Sequence, residues 1–222
     1  MNKQAGVTLI SLLIGLVIAM FCIVAVLAVY RTTVKTGADS RIASNHDAQL
    51  QNGLTTAQML VQNAGFGLDG SAHFIVHANI TASINGANQN ITSAVLWRYK
   101  NGTEIVCQGL ADIPNQDNTK RHFVLLQGLL NNAACNNTQS LTALTWSVQS
   151  VIANLNDYSS DQSNPPQITW TTSTASCTPY GAGKIDDSVQ HLILIISAKT
   201  SSQQIAHLNA VEVPVCVLNI VV

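Results

Sequence analysis

An unbroken apolar run constrains this chain more than any other feature. Residues 7–30 carry no charged side chain and are mostly Leu, Ile, Val and Ala. At about 1.5 Å of rise per residue, a helix over this stretch reaches roughly 36 Å, against a hydrocarbon core of about 30 Å, so it can cross a bilayer with some tilt. The short segment before it, residues 1–6, has Lys3 as its only charged side chain. Two ordinary explanations compete for the run. A secretory signal cut after Val26-Leu27-Ala28 is one, although the run exceeds the usual h-region. An unprocessed signal anchor is the other. For that reading the charges are balanced, because Arg31 and Lys35 follow the span while Lys3 and the terminal amine precede it, so the positive-inside rule does not fix the orientation.

The remainder of the chain has a different chemistry. Of 222 residues only 9% are charged, the formal net charge is -1, and the part after Tyr30 is rich in Asn, Gln, Ser and Thr. Lys100, Lys120, Lys184 and Lys199 are scattered among acidic residues, which argues against direct nucleic-acid binding, since that needs a concentrated basic surface. The length suits one anchored domain. Of five cysteines, Cys22 lies inside the apolar run and reads as a small apolar side chain. Cys107, Cys135, Cys177 and Cys216 lack Cys-x-x-Cys spacing or neighbouring histidines, so disulfides are expected rather than zinc. Three connectivities are open. Pairing Cys107 with Cys135 and Cys177 with Cys216 closes the shortest loops and is preferred. Disulfides imply an oxidising compartment.

Periodicity divides the chain at about residue 64. Val34, Ala38, Ile42, Leu50, Leu54, Ala57, Val61 and Ala64 recur at three- and four-residue intervals, which predicts an amphipathic continuation of the apolar helix. Ala64-Gly65-Phe66-Gly67 is the first strong stop, and no proline precedes Pro114. One helix over residues 7–64 would be roughly 87 Å long, with Gly37 and Gly53 as soft points. Beyond it the pattern alternates and predicts strands at 73–84, 92–99, 103–108, 122–127, 141–152, 167–171, 189–198 and 208–218. Asn101-Gly102 is a strong type I′ hairpin signal and Asn85-Gly86 a weaker one. Polar loops are expected at 154–166 and 173–187. The fold class predicted is α+β.

No catalytic constellation emerges. His73 and His77 have a spacing that can bind a metal, but no third ligand is near, so they read as polar surface histidines, and His46, His122, His191 and His207 are uninformative singly. Asp157, Asp161 and Asn164 offer oxygen ligands without the EF-hand spacing, and a solvated loop is the simpler reading. Asp186-Asp187 reads as a turn. There is no Gly-x-Ser-x-Gly, Ser-x-x-Lys or phosphate-binding glycine loop. Trp97, Trp146 and Trp170 read as core. The expectation is a non-enzyme without metal or cofactor.

The junction Gly6-Val7-Thr8-Leu9-Ile10 followed by Leu12 to Leu16 resembles the class III signal of type IV prepilins. That resemblance implies cleavage between Gly6 and Val7 by a prepilin peptidase, N-methylation of Val7, a leader at 1–6, a long helix at 7–64 with 7–30 transmembrane, and a periplasmic β-rich domain at 65–222. It implies residence in a bacterial inner membrane, single-pass, and then in a surface pilus. The fold implied is a long helix packed on a disulfide-linked antiparallel sheet. Ser40-Arg41-Ile42, Gln62-Asn63-Ala64-Gly65-Phe66-Gly67, Trp97-Arg98-Tyr99 with Cys107, and the closing pair 191–197 with 211–218 are similar to PilW-type minor pilins and, equally, to minor pseudopilin J of type II secretion. The partners implied are other minor pilins, the major pilin, the prepilin peptidase, the inner-membrane assembly platform and a large tip adhesin, in motility, adhesion or DNA uptake. Where the family has glutamate at the fifth mature position, this chain has Ser11. In the family that carboxylate neutralises a neighbouring subunit's amine, so Ser11 implies either a tolerated substitution or a subunit that enters first, at the filament tip. A membrane-anchored adhesin or ligand-binding module outside any filament is the alternative from another class.

Overall fold

A computed structural model describes residues 9–84, 86–130, 133–157, 163–178, 190–201 and 210–221. One helix, α1 (Leu9–Val61), precedes eight strands: β1 (Phe74–Ile84), β2 (Ala87–Asn101), β3 (Glu104–Pro114), β4 (Lys120–Leu129), β5 (Thr145–Asn156), β6 (Ile168–Ala175), β7 (His191–Ala198) and β8 (Val211–Val221). The chain divides into two compact units at Ser44/Asn45.

In the first unit α1 is apolar all round from Leu9 to Tyr30, and these side chains are exposed. It is long and apolar enough to cross a membrane. Val34 and Ile42 are exposed as well.

In the second unit α1 becomes one-sided, burying His46, Leu50, Gly53, Leu54, Ala57 and Val61. These positions recur every three or four residues, the spacing that keeps one helix face against a core. Gly53 is not a soft point. A Cβ there would sit 3.0 Å from the Ala153 Cβ and 3.3 Å from the Phe123 ring, so glycine lets the helix approach β4 and β5 closely. After Val61 the chain tightens into three-residue turns, with Asn63 N–H donating to Leu60 O and Ala64 N–H to Val61 O. Gly65, at φ +76°, then donates its N–H to Arg98 O, carrying the chain from the helix to β2.

The expected single sheet is two. Strands β1 to β5 pair antiparallel in sequence order and close into a barrel through a short parallel pairing of Ala82 and Ser83 with Trp146 and Ser147. Strands β6, β7 and β8 form a separate antiparallel sheet in that order. The helix face joins both sheets in one core, with Leu50, Leu54, Ala57 and Val61 beside Trp97, Leu110, Phe123 and Leu155 of the barrel and Trp170, Leu194, Ile196, Val215 and Val217 of the smaller sheet. A second core holds Ala94, Leu96, Ala111, Val124, Leu126 and Trp146. Strands β2 to β4 therefore bury both faces, which is why Val95-Leu96-Trp97 and Phe123-Val124-Leu125-Leu126 are unbroken apolar runs.

The hairpin between β2 and β3 is displaced by one residue from the expected position. Asn101 pairs with Glu104, so the loop is Gly102-Thr103, and only Gly102 has positive φ, +61°. A glycine at the first central position is the II′ pattern, equally compatible with strand twist. At the weaker signal Ile84 pairs with Ala87 and Gly86 has φ +81°, while Asn85 lies outside the described residues.

Candidate assembly site

The features to weigh are the N-terminal helix and the groups that hold its C-terminal part in the β-rich unit. Ser11 lies near the start of α1 on an exposed position. Gly6 and Val7 lie outside the described residues. Cys22 is a free thiol in the apolar segment.

Where α1 enters the second unit, three polar side chains within four residues, His46, Asp47 and Gln49, bind it to the β-rich region. His46 is only 1% exposed. Its Nδ1 accepts a hydrogen bond from Asn156 N–H at 3.0 Å, which places its proton on Nε2, directed at Lys199 O at 3.4 Å. The Asp47 carboxylate accepts from Ser201 N–H at 2.8 Å and from Ser201 Oγ at 2.6 Å. Gln49 Oε1 accepts from Asn154 N–H at 3.0 Å. His46 occupies the apolar stripe between Ile42 and Leu50. A histidine at a stripe position was the available sequence signal for a buried, hydrogen-bonded ring.

Burial pushes the His46 pKa below its ordinary value of 6.5, outweighing the Lys199 carbonyl and the Asp47 carboxylate, both of which raise it. Because the unfolded imidazole takes up its proton first as pH falls, stability is full above 6.5 and is lost progressively below it. Denaturant titrations of the chain in micelles should show stability decreasing from pH 7 to pH 5, with a slope from this group of up to about 1.4 kcal/mol per pH unit. His46→Gln should flatten that slope relative to wild type. An unchanged slope in the variant would mean that other groups govern it.

Two disulfides brace the β-rich unit, Cys107–Cys135 and Cys177–Cys216. Each contributes roughly 2–4 kcal/mol, mainly by restricting the unfolded chain. Beside the first, Arg98 is 2% exposed, and its two Nη groups donate to Asn136 O and Gln139 O, both at 2.6 Å. Arg98 pairs with Cys107 across β2 and β3, so guanidinium and disulfide hold the same loop from adjacent strands. Burial lowers its pKa.

A buried ion pair links the barrel to the smaller sheet. Arg121 Nε donates to Asp112 Oδ1 at 2.7 Å, and Asp112 Oδ2 accepts from Gln167 N–H at 2.6 Å and Ile168 N–H at 3.0 Å, at the start of β6. Burial pushes the Asp112 carboxyl up, while Arg121 and the two amides act in the opposite direction. Arg121 Nη1 also reaches Asn164 O at 3.1 Å. An aspartate inside Leu110-Ala111-Asp112-Ile113 was visible in sequence, but its partner depended on strand register.

Asp157 and Asn164 are close but tied to each other and to the barrel: Asn164 N–H donates to Asp157 Oδ2 at 2.8 Å, and Asn164 Nδ2 to Asn118 Oδ1 and Lys120 O. Asp161, Asp186 and Asp187 lie outside the described residues. Among the described residues no three His, Cys, Asp or Glu side chains converge as a metal site. His73 is not a surface residue: it is 8% exposed, with Nε2 2.9 Å from Asp69 O, because it sits in a short 3-10 turn (Ser71–His73) before β1. His77 is exposed beside Ser93 Oγ at 3.2 Å, at a bulge where its φ is +57°. His207 lies outside the described residues. Trp97, Trp146 and Trp170 are buried, with Trp146 Nε1 donating to Leu141 O at 3.0 Å.

The fold is pilin-like: a long apolar N-terminal helix, one-sided in its C-terminal part, packed on antiparallel sheet with two disulfides. No protein-family model, curated protein or solved structure matches the chain.

Proposed function

We propose that this chain is a minor type IV pilin, made as a prepilin, cut between Gly6 and Val7, N-methylated at Val7 and used to prime filament assembly at the tip. The observation that carries this reading is α1 itself: one 53-residue helix that is apolar on every side at its start and buries a single stripe against disulfide-linked sheets at its end. Such a helix suits a subunit that waits in a bilayer and later packs its apolar half against the apolar helices of neighbouring subunits in a filament core. Its mechanism is packing, not catalysis. Its partners are other minor pilins, the major pilin, the prepilin peptidase, the inner-membrane assembly platform and a large tip adhesin. Motility, adhesion and DNA uptake are the processes such a filament serves.

Ser11 supports the tip position. An amine buried in the filament core without a counter-charge costs several kcal/mol, and a hydroxyl does not neutralise it. A first subunit meets no earlier amine, so it needs no carboxylate. Deleting the gene should sharply reduce surface pili while membrane levels of major pilin stay unchanged, and labelled protein should mark filament ends. Ser11→Glu should leave initiation nearly unchanged, since the added carboxyl can face the periphery or take up a proton. Label along the shaft that increases in Ser11→Glu would sink the tip assignment and leave the pilin reading standing.

A further inference from the structure

Strand β8 is the edge of the smaller sheet, paired with β7 on one side, and among the described residues no strand lies on the other. Its first half is open, with Val211, Glu212 and Pro214 exposed. Beside it runs a trough. One hollow of about 510 Å³ is lined by Gln58, Gln62, Ile193, Glu212, Val213 and Pro214 among others, and a second of about 420 Å³ by Asp47, Leu50, Leu54, Gln58, Val211 and Val213 among others. The shared residues Gln58 and Val213 make the two continuous.

The dimensions fit one kind of occupant. From Asp47 to Gln62 the helical rise is about 22 Å. Six residues of β8, 211–216, span about 20 Å, the length of a six-residue strand laid beside them. Pro214 has no N–H to give β7, so its nitrogen belongs on the open side of an edge strand. Alternation then puts the N–H groups of Glu212 and Cys216 on that side, with the carbonyls of Glu212 and Pro214 as acceptors. Gln62 Nε2 is buried and has no acceptor among the described residues, a donor that a bound backbone carbonyl would satisfy. The charged lining residues are Asp47 and Glu212, both acidic, and Glu212 has no ion-pair partner among the described residues.

We propose that the β8 edge and this trough accept an extended, lysine- or arginine-bearing segment of another polypeptide as an added strand, with main-chain hydrogen bonds to β8 and a basic side chain at Glu212. The inference concerns this surface and holds for a filament subunit or a stand-alone receptor alike.

Hydrogen exchange at the amides of Glu212 and Cys216 tests it, in the full chain in detergent micelles. The probes are acetylated heptapeptides alternating Val and Thr around a central Lys, and the same peptides N-methylated at alternate amides. The unmodified peptides should slow exchange at both amides about tenfold, a gain of about 1.4 kcal/mol, and the N-methylated ones should not. Glu212→Lys, a surface change, should weaken binding by about tenfold. Unchanged exchange at millimolar peptide would overturn the proposal. So would amides already protected without peptide, which would mean that the chain covers its own edge, or protection that rises with protein concentration alone, which would assign the edge to a second copy.

Discussion

Gly6→Val should leave the precursor uncut. On the proposed reading, intact-mass analysis of the wild-type protein from membranes finds a chain that has lost residues 1–6 and carries one methyl group on Val7, whereas the variant retains Met1. The physical reason is access. On that reading the apolar run, which begins immediately after Gly6, would set the junction at the membrane surface, where a glycine on the leader side would present backbone without a Cβ to the peptidase. Adding a branched side chain stiffens and shields that backbone. The effect expected is close to all or none. A mature chain beginning at Val29 would instead establish cleavage after Ala28 by a conventional signal peptidase, removing the membrane helix and ending the pilin reading. Processing of the variant at the wild-type rate would show that the junction is not read through its glycine.

The second large effect is on stability. Asp112→Ala should cost about 3–5 kcal/mol, because it leaves a buried guanidinium without its carboxylate and removes the acceptor for two backbone N–H groups. Asp112 and Arg121 side chains are 4% and 11% exposed, so water compensates neither fully. Arg121→Ala should cost less. Asp112 then keeps the amides of Gln167 and Ile168, and an upward shift of its pKa lets it take up a proton. Denaturant titration followed by fluorescence of the three buried tryptophans measures both. If Arg121→Ala proves the more damaging, the carboxylate is not the centre of this junction. A replacement of both by Leu and Met should not recover wild-type stability, since the two amides at β6 remain without an acceptor.

The elements were largely legible. Apolar spacing located the stripe Leu50, Leu54, Ala57 and Val61, and alternation located eight strands, because both follow from side-chain direction along a local backbone. The misses came where local signals were degenerate. Asn101-Gly102 and Gly102-Thr103 both permit a two-residue hairpin, and the register of β2 on β3 selected the second. Gly53 has the same sequence signature as a helix-weakening glycine, but its function depends on Ala153 and Phe123, about 70 to 100 residues away in sequence. His46 and His73 became buried because distant or unforeseen partners received them, Asn156 and Lys199 for the first and a short turn for the second.

The sequence by itself determined a membrane-length apolar helix, its amphipathic continuation, a disulfide-rich β-region and the lack of a recognisable catalytic motif, since length, polarity and local periodicity are properties of the chain before it folds. Only the tertiary structure decided that the strands divide into a closed barrel and a separate three-stranded sheet, that Asp112 and Arg121 meet between them, and that β8, among the described residues, has no strand on its outer edge beside α1. Closure and pairing depend on which strands find each other across long loops, and a strand's pattern of inward and outward residues is the same at the edge of a sheet as in its middle.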